Sequence, residues 1–395
     1  MTQPTNPATT NSTWIPFHAA AVGEEEVAAV AEAIRSGWLT MGPRTVEFEK
    51  QFAEYVGAKH AVAVSSCTAA LHLAYDAIGL KAQDEVLVPS ITFAATAEAV
   101  IYFGATPVIV DVDRQTLNIS VQDLERKITP RTKAIVPVHY AGQPCDMEEI
   151  KELAARRNLR IIEDAAHAVP ASYRGTPVGA ISEVTCFSFY ATKTLATGEG
   201  GMVTTDNEDI ANRVRLMRSH GIGRDAWKRY SAAGSWYYEI VDAGYKYNMT
   251  DIQAAMGLVQ LRKCDAMRQQ RAAISSRYDK AFGTLLFFEI PTLKDDRESA
   301  LHLYPLRLNL ETLTIDRARF IEELKQRAIG TSVHFIPLHM HPFYRDNYGY
   351  TPHDLPVSAH EYERYFSLPF FPTMTDEQIN HVIENVIQVA KAHQR

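Results

Sequence analysis

Between residues 60 and 205, short apolar, β-branched runs recur at close intervals: Ala61–Val64, Glu85–Val88, Pro107–Val110, Ala134–Val138, Arg160–Glu163, Val184–Phe189 and Met202–Thr205. Helix-like stretches such as Thr68–Ile78 and Asp146–Arg157 separate several of them. Runs that are apolar almost throughout, rather than at alternate positions, belong to strands covered on both faces. Their alternation with helices predicts an α/β fold: one large domain on a mostly parallel sheet of about seven strands. In such sheets ligands sit beyond the carboxyl ends of the strands, so the loops after the runs are where chemistry is expected.

The 395-residue chain exceeds what one hydrophobic core usually serves. Residues 1–14, rich in Thr, Asn and Pro, read as a disordered tail, 15–265 as the large domain and 266–395 as a small C-terminal α/β domain. The large domain opens with Glu24, Glu25 and Glu26 in the first turn of a helix that carries Val27, Val30, Ala31 and Ile34 on one face. Phe48, Phe52 and Tyr55 mark a second helix, which stops at Gly57, and a long helix is expected from Asp251 towards Arg277. In the small domain Tyr304–Leu308 and Ser332–Phe335 look β-like, and the last helix opens on a capping box, Thr375 to Gln378.

Several functions are disfavoured by composition. A net charge of −7 with no basic cluster argues against nucleic acid as a partner. Cys67, Cys145, Cys186 and Cys264 form no Cys-x-x-Cys pair, which disfavours a zinc site or a disulfide framework and fits a reducing cytoplasm. The start has no basic stretch followed by an apolar one, and no apolar run is long enough to span a membrane, so the expected location is cytoplasmic.

Three of the expected strand-end loops carry unusual residues. Ser188 to Gly201 holds one lysine, Lys193, among small residues and three glycines. It reads either as a solvated loop lysine or as an amine kept from water so that it can form a Schiff base. Ser65-Ser66-Cys67-Thr68-Ala69-Ala70 opens a helix, as an ordinary N-cap or as a phosphate site. Asp164, ending Ile161-Ile162-Glu163-Asp164, is a capping acid or one paired with a cation. Taken together, a phosphate nest, a buried acid and a buried lysine point to pyridoxal 5'-phosphate (PLP). Rival phosphate motifs are missing: Lys193-Thr194 lacks the preceding Walker glycines, and no Gly-x-Gly-x-x-Gly follows a strand.

The chain resembles the DegT/DnrJ/EryC1/StrS family of PLP-dependent nucleotide-sugar aminotransferases over nearly its whole length, from about Ile15 to the last helix. The likeness rests on Gly37-Trp-Leu-Thr-Met-Gly-Pro43, Ser66-Cys-Thr-Ala-Ala-Leu71, Pro89-Ser-Ile-Thr-Phe93, Val110-Asp-Val-Asp113, Glu163-Asp-Ala-Ala-His167, Ser188–Gly201, Gly244–Ala255 and Leu368-Pro-Phe-Phe-Pro372. It implies fold type I, a homodimer with shared active sites, and PLP that cycles through pyridoxamine 5'-phosphate (PMP). Lys193 matches the Schiff-base lysine, Asp164 the partner of the pyridine nitrogen and His167 a position near the ring hydroxyl. Phe93, which alone reads as core, matches the aromatic stacked on the ring. Thr68, Ala69 and Ser188 match phosphate contacts, and Asn248 one that reaches the cofactor of the other subunit.

The implied reaction moves an amino group from L-glutamate to a keto-sugar nucleotide. Lys246-Tyr247-Asn248 stands where many members read Asn-Tyr-Arg, and with His139-Tyr-Ala-Gly142 it looks like the branch that makes 4-amino-4-deoxy-arabinose from a UDP-4-keto-pentose. Cys67 replaces a frequent Gly or Ala, and Glu98 a common Asn. His220, His334 and His339 are candidates for the sugar pocket. The histidines of Val333–His341 lack flanking cysteines or acids, so no metal is expected. Sugar dehydratases of the family lack the lysine, so Lys193 argues against that alternative, and the acidic charge argues against a DNA-binding regulator.

Overall fold

The computed structural model describes residues 14–223 and 237–395. The expected tail, apart from Trp14, lies outside the described residues. Among these, the seven apolar runs form one sheet from β1 (His60–Val64), β2 (Glu85–Pro89), β3 (Thr106–Val110), β4 (Thr132–Ile135) and β5 (Arg160–Asp164). A ribbon of β6 (Ser172–Tyr173) and β7 (Thr176–Pro177) follows, and then β8 (Val184–Ser188) and β9 (Gly201–Thr205) complete the sheet. The order is β1-β9-β8-β5-β4-β2-β3, with β9 antiparallel to both neighbours. The carboxyl ends of β1, β8 and β5 therefore emerge at one edge, with the start of β9 among them.

Side chains alternate between the faces of a strand, and the core divides accordingly. Leu87, Ile135 and Phe187 join one cluster with Phe48 and Phe52, whereas Val86, Val88, Val136 and Cys186 join the other with Leu71 and Leu73. The covering helices are α1 (Glu24–Arg35), α2 (Pro43–Val56), α3 (Cys67–Ala77), α4 (Ala95–Ile101), α5 (Val121–Lys127), α6 (Met147–Arg157) and α7 (Glu208–Met217). The long α8 (Asp251–Phe282) starts on a Thr250–Gln253 capping box. Its Asp251 carboxylate accepts from the amides of Gly42, Arg44 and Thr45 at 2.7–3.0 Å, which joins α8 to the start of α2.

The remainder holds β10 (Phe288–Glu289), β11 (Arg297–Glu298), β12 (Pro305–Leu308), α9 (Arg317–Gln326), α10 (Pro342–Tyr348), α11 (Pro356–Tyr362), β13 (Tyr365–Ser367) and α12 (Asp376–Ala392). Strands β10, β12 and β13 form an antiparallel sheet beside a third core that contains Phe282, Phe320, Phe366 and Val382. The long helix serves both regions: Leu261 and Cys264 pack in the first core, and Ile274, Tyr278 and Phe282 in the third. No described helix is long and apolar enough to cross a membrane.

Two expectations are corrected. Ser332–Phe335 is not a strand: only Ser332 pairs, in a single bridge to Ser367 of the edge strand β13. The segment stays half-buried and irregular, with Tyr140 donating to the His334 carbonyl at 2.6 Å. In α1 the apolar face is not the packed one. Val27 and Ile34 lie more than half exposed, while Glu26 and Ala33 are buried. Glu26 accepts from Lys263 and Gln260 of α8 at 2.9 Å, so a buried, paired acid orients the helix and leaves its apolar stripe outward.

Candidate active site

At the end of β1 the chain turns into α3. Ser66 is extended (φ −167°) and its Oγ accepts from the Ala69 amide at 3.1 Å. This leaves the amides at Cys67 and Thr68, at the positive end of the helix, for an outside acceptor. Gly201, the first residue of β9, closes the turn. A Cβ there would stand 2.5 Å from the backbone of Ser66 and 2.8 Å from the Cys67 amide, so only glycine fits. Gly201 also pairs with Ser188 at the end of β8, whose Oγ accepts from the Tyr190 amide at 3.3 Å. The segments that carry Thr68, Ala69 and Ser188 thus meet around one glycine. Burial pushes the Cys67 thiol up, aided by the charge of Asp164, so this residue stays a small neutral side chain in the nest.

Glu163 and Asp164 end β5 and, as neighbours on a strand, face opposite ways. Burial raises Glu163, but hydrogen bonds from His139 (2.8 Å), Ser182 and Thr185 outweigh it and hold the carboxyl below its usual range. Asp164 has less. It accepts from Thr96 Oγ1 at 2.8 Å and from the Ala166 amide at 3.1 Å, and burial leaves its pKa raised in spite of both. No ion pair with Asp164 is formed among the described residues. A buried carboxylate so placed gains most from a cation brought to it.

Lys193 lies three residues beyond Tyr190, whose carbonyl accepts its amide at 2.8 Å. Its side chain is half-buried, and burial lowers the pKa to about 8 against the pull of Cys67 and Asp164. A substantial fraction of the amine is therefore neutral near physiological pH, as a nucleophilic lysine requires. His167 is buried and held neutral by burial and by the charges of Lys193 and His334. Its ring stacks on Phe335 (5.8 Å, 22°) and lies 4.3 Å from His302. Phe93 is 63% exposed, with Phe335 at 6.1 Å, and is thus an uncovered aromatic surface rather than core.

The remaining candidates divide. His334 bonds Ser367 Oγ at 3.0 Å, and burial and Lys193 lower its pKa to about 4, which places it with the lysine. His339 is buried elsewhere, where Asp111, Asp354 and Lys127 are the charges that act on it. His220 is exposed, in a segment that pairs with 245–247, one layer out from β1. Asn248 bridges Val64, and its side-chain amide donates to the Met249 carbonyl at 3.1 Å. Glu98 is half-buried near Tyr344. Sequence reasoning missed Thr96, 68 residues from the carboxylate it supports, together with His18, Arg271, His302 and Phe335.

The matches with known proteins follow the same lines. The model of the DegT/DnrJ/EryC1/StrS aminotransferase family matches residues 20–387. The chain belongs to this family. It is 48% identical over 379 residues to the spore coat polysaccharide biosynthesis protein SpsC of Bacillus subtilis, covering 96% of this chain and 97% of that protein. A putative sugar aminotransferase of Streptococcus pneumoniae, solved in its PMP form, superposes with a TM-score of 0.90 at 32% identity, covering 96% and 98% of the two chains. The same protein has also been solved in a PLP form. Helicobacter pylori PseC, an aminotransferase of pseudaminic acid biosynthesis, gives 0.89 at 30% identity and covers 96% and 100%.

As a member of this family the protein is a PLP-dependent sugar aminotransferase whose cofactor alternates between PLP and PMP. The site fits that cofactor on its own terms. The glycine-closed helix start offers amides for a phosphate, Asp164 is a buried acid that forms no ion pair among the described residues, and Lys193 is an amine lowered towards neutrality.

Proposed function

We propose that the protein transfers the amino group of L-glutamate to the keto carbon of a nucleotide-linked sugar, a UDP-4-keto sugar in the first instance. The product would serve surface polysaccharide, lipopolysaccharide or other amino-sugar synthesis in the cytoplasm. The 4-amino-4-deoxy-arabinose branch is the specific form favoured by Lys246-Tyr247-Asn248. The observation that carries the reading is the meeting of a lysine near pKa 8 with a buried acid that forms no ion pair among the described residues, beside one phosphate nest. The roles of SpsC in spore coat polysaccharide biosynthesis and of PseC in pseudaminic acid biosynthesis support the substrate class.

When bound, PLP supplies an electron sink for the carbanion formed at the amino-acid Cα. Asp164 would hold the ring nitrogen protonated, and the hydrogen bond from Thr96 would keep Asp164 ionised and aimed. The Cys67 and Thr68 amides with Ser188 would hold the phosphate, the Ala69 amide being already taken by Ser66 Oγ, while Phe93 would cover the ring and His167 would face its hydroxyl. Lys193 would hold the bound cofactor through its amine and, when freed, would serve as the base that takes the proton from the donor Cα and the acid that returns it. His334 would line the sugar side, next to Lys193, whereas His220 lies one layer out. Asn248 reaches the phosphate site of a second copy, which makes a homodimer the working unit. The exposed apolar side chains Val22, Val27, Ile34, Trp38, Leu39 and Val46 support a covered face of that kind.

The test is the absorbance spectrum of the purified protein with PLP, before and after L-glutamate, for wild type and Lys193→Ala. The wild type should show a visible cofactor band that glutamate converts to the PMP spectrum, and the variant neither. A Lys193→Ala protein with unchanged turnover would sink the assignment.

A further inference from the structure

The buried face of α8 steps through Cys264, Met267, Arg271, Ile274 and Tyr278 at intervals of three and four residues. A guanidinium thus occupies a place on an otherwise apolar stripe, where the first core gives way to the third. Arg271 is 2% exposed, and neither its Nε nor its Nη1 has a hydrogen-bond partner. No ion pair with it is formed among the described residues. Burial lowers its pKa to about 10 and only Cys264 acts the other way, so it remains a cation at neutral pH. A buried, unpaired cation is costly to keep unless an anion comes to meet it.

Hydrogen bonds fix the place: Arg268, three residues earlier on α8, donates to the Ser299 carbonyl at 2.8 Å, and Gln260 of the same helix accepts from the Ala196 amide at 3.5 Å, so α8 runs against both the His302 segment and the Lys193 loop. His18 and His302 both have their pKa values lowered, first by burial and then by charges that include Arg271 and Lys193. His18 lies against the carbonyl of Ala191, two residues before the lysine, and His302 lies 4.3 Å from His167. Three ring nitrogens here, His18 Nε2, His302 Nδ1 and His167 Nδ1, are buried without a partner, like the guanidinium atoms. The guanidinium N–H groups are donors left unfilled among neutral rings, and with Asp164 already engaged by Thr96 they form a site that lacks an anion.

We infer that Arg271 is the carboxylate anchor of the amino donor. Its planar fork receives a carboxylate of glutamate through paired N–H···O bonds, with His18 and His302 as the adjoining wall. This rests on reading the site as one that takes an amino group from a dicarboxylic amino acid. An Arg271 filled only by the donor also gives the empty site a cost that donor binding relieves.

Glutarate, which has the carboxylates but no amine to react, is the probe. Calorimetric titration of the PLP-loaded wild type should show binding, and Arg271→Gln should weaken it by about 100-fold, as expected when one partner of a buried charged pair is removed. Arg271→Lys should restore part of the affinity, since it returns the charge without the fork. The melting temperature of the ligand-free Arg271→Gln protein should stay level or rise. A large fall in melting temperature with glutarate affinity intact would mean a packing role and overturn the inference, as would a wild type that does not bind glutarate. Glutamate conversion of the cofactor band separates the two claims. Conversion at the same glutamate concentration in wild type and Arg271→Gln sinks the anchor alone, whereas a wild type with no cofactor band sinks the transferase reading and the anchor with it.

Discussion

Lys193 should destabilise the cofactor-free protein, by an amount that follows from its pKa. Folding lowers that pKa from 10.5 to about 8, so the unfolded chain binds more protons between these values. A difference of 2.5 in pKa corresponds to an upper figure of about 3 kcal/mol, reduced by whatever solvent reaches the half-buried amine. The sign is fixed by the direction: the cost is full below pH 8 and disappears as pH rises towards 10.5. Lys193→Met keeps the length of the side chain and removes the charge. The cofactor-free variant should therefore be more stable than wild type at pH 7 by about 1–3 kcal/mol, with the gap closing by about pH 10. Urea unfolding of both proteins from pH 7 to 10 measures this. A variant less stable at pH 7, or a gap that does not change with pH, would refute the claim that the lysine is held against its charge.

Two more outcomes follow from the geometry around the cofactor. Thr96→Val removes a hydrogen bond to an ionised acid, worth about 1.5–3 kcal/mol, and should slow the glutamate half-reaction by at least about tenfold in stopped-flow absorbance, with Thr96→Ser close to wild type. Gly201→Ala forces a methyl group against the Ser66 backbone at 2.5 Å. PLP affinity, measured by fluorescence titration, should drop by at least about tenfold, and unchanged affinity would separate this turn from the phosphate.

The large sheet was legible because strands covered on both faces leave continuous apolar runs that little else imitates. Lys193, Asp164 and the Ser65–Ala70 turn could be singled out because chemistry-bearing residues stood at the ends of those runs. Thr96 could not be, since a threonine that supports an aspartate 68 positions away has no local mark. Ser332–Phe335 misled because its composition suits a strand, whereas only Ser332 pairs, with Ser367 of β13, and the chain then leaves the sheet, its His334 carbonyl held by Tyr140. The outward stripe of α1 was likewise hidden, because its orientation depends on Glu26 meeting Lys263. Arg271 left a trace as a charge on an apolar helix face, but that trace acquires meaning only beside the unfilled nitrogens of His18, His167 and His302.

The central claim is that the nitrogen of glutamate reaches a sugar through Lys193 and its cofactor. The most direct measurement incubates the PLP-loaded protein with 15N-labelled L-glutamate and a UDP-4-keto sugar and follows the label by mass spectrometry. The account predicts 15N in an amino sugar nucleotide together with unlabelled 2-oxoglutarate, and neither product with Lys193→Ala. A sugar that loses a hydroxyl without gaining nitrogen, or label that never leaves glutamate, would contradict it.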